Sequence, residues 1–475
     1  MNGDVLLLAE LTTTGAARHD GFIPVEVGED QWQALARGCA SGRTDLLALW
    51  ADRDSVLMAL RDPRDGLRVV AALRCTDGGY ASVGRWHPPA IRLERTLRDL
   101  SGPRPGGLVD ERPWLDHGRW PSPPPGRAGD ERVARDYRFL PVEGEGLHQI
   151  AVGPVHAGVI EPGHFRFSAN GEAVVRLEQR LGYVHKGIES LLNGKSLEQA
   201  AAIIARVSGD STVACSYAFA LAVEALFEIA VPPRATLLRA IMAELERIAH
   251  HVSDFGAICN DASVVAINAH CALLRERCLQ LCARCFGHRM MMDCVVPGGA
   301  SVDLDSPGAD LIKRFVEHCR TSFGQLYTLY DQTTSLQDRT VATGIVSASL
   351  AQRFGAGGFV GRGAGRDFDC RRDCPYPPYP SLRFEVVTRD SGDVDARARV
   401  RAEEVTQSLD LLEQLLDGLR PGAVRAEGYV PRAGESIGMT EAFRGDLLVA
   451  LRTDQDGRVG RCHVRDASCF QWPLL

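Results

Sequence analysis

Four groups of residues in this 475-residue sequence have the types and spacing to do chemistry. Cys278, Cys282 and Cys285 have the CxxxCxxC spacing that can hold an iron-sulfur cluster. Spacings of four and three also set all three thiols on one helix face, beside Leu274, Leu281 and Phe286, where free cysteine packs as a small hydrophobe. They read as a core stripe. The glycine-rich run Gly355 to Gly365 lacks the Gly-Lys-Ser/Thr of a nucleotide loop, and Val360 stands where a GxGxxG frame opening at Gly355 needs its third glycine. It reads as room for close backbone packing or for a partner's approach, and dinucleotide binding is not expected. A third group, His156, Glu161, His164, Arg166, His185, Lys186 and Glu189, alternates with apolar residues; it suits a proton path or the cover of a partner's cluster, and equally a solvated sheet face. The fourth is Arg206 to Glu224, RVSGDSTVACSYAFALAVE, which has the form of a metal-ligand loop leading into a helix with the ligands removed.

The elements that must position these groups follow from pattern. At 45% apolar content the chain can bury a sizeable core and is too long for one ordinary domain. A net charge of -7, without a cluster of Lys and Arg interleaved with aromatics, excludes nucleic acid as an expected partner. Fourteen cysteines with no secretory signal point to thiols or metal ligands, not to a disulfide framework. The N-terminus carries an acid where a secretory signal is basic, and no run of 18 uncharged apolar residues occurs, so the expectation is a cytosolic chain without a membrane span of its own. Ala214 to Val231, the most apolar long segment, carries Glu224 and Glu228 and suits a core helix with one polar edge.

Short strand-like runs (Val5 to Leu8, Asp45 to Leu49, Ser55 to Leu60, Leu67 to Leu73), a helix near Asp30 to Arg37 and a helix introduced by Pro88-Pro89 make a small α/β domain over 1–120. Proline and glycine density between Pro121 and Gly129 marks a linker over 121–135. From 136 to 475 a larger domain opens with alternating strands, broken at Pro162-Gly163 and at the turn signal Asn170-Gly171. It continues into helices. Pro232-Pro233 starts a long amphipathic one, a second covers Ser263 to Phe286, another spans Ala396 to Leu416, and the tail from Val424 reads as short strands. The fold class is α+β, a small N-terminal α/β domain plus a large C-terminal domain with a helical-bundle core and flanking short antiparallel strands.

Five segments in register carry a family likeness: GPVHAGVIEPGHFRF, LGYVHKGIESLLNGKSLEQA, RVSGDSTVACSYAFALAVEALFEIAVPPRA, LERIAHHVSDFGAICNDAS and FGHRMMMDCVVPGG. Together they resemble the large subunit of group 4 nickel-iron hydrogenases of the formate hydrogenlyase and hydrogenase-4 type, with a more distant kinship to the hydrogenase-like subunit of respiratory complex I. YASVGRWHPPAIRLERTLRDLSG and RPWLDHGRW resemble the small peripheral subunit of complex I that this hydrogenase type carries fused at its N-terminus. The family's first nickel motif, R-x-C-G-x-C, falls on Arg206, Ser208 and Ser211, so both cysteines are serine here. Hydroxyls stay protonated and coordinate soft metals poorly. Cys215 lies one helical turn beyond Ser211 and does not replace them. The second motif, D-P-C-x-x-C, is expected at the C-terminus; RDASCFQWPLL resembles the segment that precedes it, and the sequence stops at Leu475.

What the resemblance implies is a subunit of a membrane-associated hydrogenase-4 or complex I-like oxidoreductase, without a nickel-iron centre of its own. It would take electrons from an iron-sulfur partner, in a couple of the NADH, quinone or ferredoxin type, and link their transfer to proton movement. Partners would be an iron-sulfur small subunit and antiporter-like membrane subunits, at the cytoplasmic side of the inner membrane. No cofactor is expected in this chain. Glu161, His164, Arg166 and Arg206 are the proton and redox pocket candidates, with Ser208 beside them. Glu189 falls at the family's magnesium-ligand acid. Complex I uses a histidine and a tyrosine for quinone; the tyrosine's place falls at Ser208-Gly209 and is lost, and His164 lies near the histidine's. The alternatives are a non-catalytic scaffold of such a complex and an active hydrogenase.

Overall fold

The computed structural model describes residues 8, 11, 17–18, 21–22, 24–75, 77–120, 136–155 and 162–475. The chain divides into two compact units, one comprising essentially Ile23–Gly187 and the other Ile188–Leu474. The linker expected over 121–135, residues 5–7 of the strand expected at Val5 to Leu8, and the candidates His156 and Glu161 lie outside the described residues, and Leu8 itself is helical.

In the first unit, alternating and β-branched runs form strands β1 (Val25–Glu26), β2 (Asp45–Asp52), β3 (Ser55–Arg61) and β4 (Arg68–Arg74), in sheet order β1-β4-β3-β2. All pairs are antiparallel except β1 with β4. Helix α1 (Glu29–Ala40) starts at Gly28, whose N–H is held by the Gln31 side chain, and buries Trp32 completely, its indole N–H donating to the Ala81 carbonyl at 3.0 Å. Helix α2 (Ala90–Ser101) follows Pro88-Pro89 as the sequence requires, and buries Glu94, which accepts from Ser82 and from the Val83 and Gly84 N–H groups. A second, three-stranded antiparallel sheet follows: β5 (Leu147–Val155), β6 (Gly163–Asn170) and β7 (Ala173–Arg180), with β6 central. The β6–β7 turn sits at Asn170-Gly171, where Gly171 has φ +58°, a left-handed conformation that suits glycine.

The second unit is helical. The apolar helix α3 (Thr212–Phe227) has nearly every residue buried. The 29-residue α4 (Pro233–Asp261) starts at Pro233 and packs on α5 (Val265–Phe286) and on α7 (Val394–Gly418), while α6 (Ser306–Gln332) lies against α5 and α7. α6 is a helix for which pattern reading gave no expectation; Asp305 caps it, accepting from the Gly308 N–H at 2.7 Å. The tail forms a three-stranded antiparallel sheet, β8 (Gly434–Ala442), β9 (Gly445–Thr453) and β10 (Val459–Arg465), with β8 laid on α3. Contact is close: a Cβ at Gly438 would stand 1.9 Å from the Ala218 carbonyl oxygen. Gly358 is likewise filled against the Arg444 carbonyl, at 2.0 Å from a built Cβ, so part of the glycine-rich run serves close backbone packing.

None of the fourteen cysteines is in a disulfide. Cys278 and Cys282 are buried in α5, with Cys278 donating to the Leu245 carbonyl at 3.7 Å, as the core-stripe reading expects, whereas Cys285 is only half-buried and donates to the Gly308 carbonyl at 3.7 Å. No helix among the described residues is long and apolar enough to cross a membrane. Glu224 turns its carboxylate inward to Arg239 and the Gly298 N–H, and Glu228 ends α3 in a left-handed conformation.

Candidate functional site

The loop between the helix Leu197–Ile204 and α3 carries Arg206, Ser208 and Ser211, the residues that the sequence likeness sets at the family's first nickel motif. Arg206 is exposed and makes a bidentate pair with Asp293, both bonds 2.7 Å. That pair stands by a shallow cleft of about 140 Å³ lined by Asp293, Glu198, Arg425, Val295 and Pro297. Ser208 donates its hydroxyl to Asp210, and the Arg444 guanidinium, from the β8–β9 turn, pairs with the same carboxylate. Burial pushes Asp210 up, but Arg444 and the Ser208 hydroxyl outweigh it and hold the group below the ordinary carboxylate range. Arg444 also lies over the Phe443 ring at 4.4 Å, and His250 stacks on the other member of this group, its ring 4.9 Å from Phe443.

Ser211 occupies the N-cap of α3 without using its side chain as a cap. Glu246 caps instead, accepting from the Val213 N–H at 2.7 Å and the Ala214 N–H at 3.0 Å. The Ser211 hydroxyl is left fully buried with no hydrogen-bond partner among the described residues. Glu246 and His250 stand four apart on α4 and so share one face. Burial raises Glu246 to about 8 against the pull of the two amides, and lowers His250 to about 4 against the field of Asp210. Beside them a void of about 10 Å³, lined by Glu246, His250, Cys282 and Met291, has space for about one water.

Glu189 opens the short helix Ile188–Leu192. Its two oxygens are taken by His463 Nδ1 and by Arg461, each at 2.7 Å, both from β10. Burial acts to raise its pKa, and the field and hydrogen bonding of His463 and Arg461 more than reverse this, holding it at about 2.

In the first unit the structure brings His164 and Arg166 together on β6. His164 Nδ1 lies 3.1 Å from the Gly153 carbonyl, Arg166 Nε lies 3.4 Å from His164 Nε2, and both side chains contact the Phe139 ring. His164 is buried, and Arg166 also reaches Gln149 at 3.3 Å. His185 stacks on Trp120. Glu161 lies outside the described residues, and Arg206 and Ser208 belong to the second unit. Within that unit, Arg206 bonds to Asp293 while Ser208 bonds to Asp210.

The donor set can be tested against the metals that the family resemblance implies. A nickel-iron centre needs thiolates, and positions 208 and 211 offer one hydroxyl committed to Asp210 and one isolated hydroxyl; Cys215 is sealed in the core on α3. A magnesium ion needs free carboxylate oxygens, and those of Glu189 already face the Arg461 guanidinium and the His463 ring. No grouping of three or more His, Cys, Asp or Glu among the described residues is arranged to hold a metal ion. The residues present fit neither group.

Sequence reading missed Asp210, Glu246, His250, Arg444, Arg461 and His463. One signal was available: LERIAHH puts polar residues on several faces of an otherwise apolar helix, a costly arrangement unless each has a partner.

Residues 186–260 match the family model described as nickel-dependent hydrogenase, and residues 261–431 match that of the respiratory-chain NADH dehydrogenase 49 Kd subunit. The chain is 32% identical over 331 residues to the carbon monoxide-induced hydrogenase of Rhodospirillum rubrum, covering 69% of this chain and 91% of that one. It is 30% identical over 410 residues to formate hydrogenlyase subunit 5 of Escherichia coli K12, covering 83% and 72%. To hydrogenase-4 component G of the same organism it is 29% identical over 472 residues, covering 96% and 80%.

Proposed function

Since the chain belongs to the family of group 4 nickel-iron hydrogenase large subunits and complex I 49 Kd subunits, we propose that it is a subunit of a membrane-associated oxidoreductase complex that works without a nickel-iron centre of its own. Electrons arrive from an iron-sulfur cluster in an adjacent small subunit, in a couple of the NADH, quinone or ferredoxin type, and antiporter-like subunits form the membrane arm. The chain sits peripherally on the cytoplasmic face. Residues 1–120 act as the small peripheral module and 136–475 as the hydrogenase-like module, joined through 121–135.

The observation that carries this reading is the Ser208–Asp210–Arg444 group. At the place of the family's first nickel motif, a hydroxyl, a carboxylate and a guanidinium satisfy one another. Thiolates are replaced by a pocket that offers proton donors and a fixed positive charge, which can stabilise an anionic reduced species or relay a proton but cannot anchor a soft metal. His164 with Arg166 form a second candidate acid-base group, within the first unit. What the pocket's residues do is hold charge: Arg444 keeps Asp210 ionised, and burial keeps His250 neutral at physiological pH.

The test separates this role from a scaffold. Arg444→Gln, with Arg166→Gln as a second variant, is introduced into the whole complex, assembly is checked by co-purification, and electron transfer is assayed in membranes. Turnover falling at least tenfold in an assembled complex supports the redox role; unchanged turnover in both variants makes the chain a scaffold.

A further inference from the structure

Glu189 is a carboxylate whose side chain is only 16% exposed, at the start of a helix of five residues too short to supply an anion site of its own. Its neutralisation is built by β10. Strand period two sends Arg461 and His463 to one face and Cys462 to the other, where the thiol is fully buried. The strand's start is pinned to the turn after that helix: the Gly194 N–H donates to the Val459 carbonyl at 2.7 Å and the Val459 N–H to the Lys195 carbonyl at 2.9 Å. Arg461 then meets Oε2 and His463 Nδ1 meets Oε1, each at 2.7 Å. Both side chains are themselves mostly buried, at 15% and 13% exposed, so the Arg461–Glu189 pair is shielded from bulk salt. A guanidinium only donates, and a magnesium ion wants oxygens at about 2.0–2.1 Å in an octahedron, so the two occupants exclude one another.

We propose that the Arg461 guanidinium, seconded by His463, stands in the place of a hard divalent cation at Glu189, so that this site carries a built-in cation and needs no metal to hold β10 against the helix Ile188–Leu192. The inference concerns this site alone and holds whether the complex is redox-active or the chain is a scaffold. Its consequence is directional. Removing the guanidinium should open a divalent-cation site that the natural sequence keeps closed.

The experiment uses the full chain in its complex, with Mg²⁺ as stabilising ion and Mn²⁺ as spectroscopic probe. The unmodified protein should show no change of Tm with millimolar Mg²⁺ and no bound Mn²⁺ signal that depends on Glu189. Arg461→Gln should melt several degrees lower, recover most of that loss in Mg²⁺ but not in Na⁺, and bind about one Mn²⁺ per chain by electron paramagnetic resonance. Arg461→Lys, which keeps the charge, should gain no ion, and Glu189→Gln combined with Arg461→Gln should abolish the Mg²⁺ response. An Arg461→Gln variant that gains no ion overturns the proposal. So does an unmodified protein whose bound Mn²⁺ disappears on Glu189→Gln, a result that stands even if Arg461→Gln does not fold.

Discussion

Helix α4 serves two polar regions that differ in one respect. Glu244, Arg247 and His251 enter a buried cluster with Arg362, Asp369, Arg371, Glu404 and Glu441, in which every oxygen of the four carboxylates takes a hydrogen bond or ion pair. Arg362 alone meets Glu404 and Glu441 at 2.8 Å each and Asp369 at 3.4 Å. Tyr379 and Ser408 complete Glu244 at 2.6 and 2.7 Å. On the same helix, Glu246 and His250 face the loop of Ser208 and Ser211, where one buried hydroxyl is left alone. The first cluster pairs all its carboxylate oxygens, although Arg362 Nη2 and His251 Nδ1 are left without a hydrogen-bond partner among the described residues. It ties α4, α7, the glycine-rich segment and β8 together, whereas the second leaves the Ser211 hydroxyl alone and links fewer elements. Paired carboxylates on several elements hold those elements together, and the Ser211 group adds no such tie.

Breaking the carboxylate cluster should cost most. Arg362→Met leaves three carboxylates with less compensation in a dry interior, and should lower stability by about 3–5 kcal/mol in urea unfolding; a loss below about 1 kcal/mol would erase the contrast between the regions. Acid comes next. His250 is held near 4, below its unfolded value of 6.5, so its contribution is full above pH 6.5 and is lost as pH falls to about 4, at most about 1.4 kcal/mol per pH unit. Glu246 and Glu441, raised to about 8 and about 7, act oppositely: their contribution is full below about 4.5 and is lost as pH rises through those values. The difference between the unmodified protein and His250→Gln isolates the histidine, and the variant's acid limb should be flatter. Equal slopes would place the titration elsewhere.

Arg444→Gln removes the ion pair of a nearly buried Asp210 and should cost about 1–3 kcal/mol, less than Arg362→Met, with the larger effect on turnover. The smallest effect sharpens the comparison most. Ser211→Ala deletes an unsatisfied buried hydroxyl and should be neutral or stabilising by up to about 1 kcal/mol, whereas Ser408→Ala, which strips a hydrogen bond from Glu244, should destabilise by about 1.5–3 kcal/mol. Chemical denaturation of the two variants side by side checks both.

Much of this architecture could be read from the chain because it is written locally. Pro232-Pro233 sets the start of α4, the runs at 45–52, 55–61 and 68–74 announce strands, and Asn170-Gly171 announces a turn. α6 escaped notice although Ile312, Phe315, Val316, Cys319, Phe323, Leu326 and Tyr330 recur at three and four; the opening Ser306-Pro307-Gly308 has the look of a turn, and only the Asp305 cap makes it a helix start. Ser208 and Ser211 were legible because a motif names their places. Arg444 was not, since 234 residues separate it from Asp210 and nothing local tells one arginine of a chain rich in them from another. Long-range pairing is decided by packing, and it is there that the site was completed.

The central claim, that a hydroxyl, carboxylate and guanidinium group stands in place of a nickel-iron centre, is tested most directly by metal analysis of the purified complex in its active state. The expected result is nickel far below one atom per copy of this chain while electron transfer persists. One nickel per chain, lost together with activity on Arg444→Gln, would contradict it.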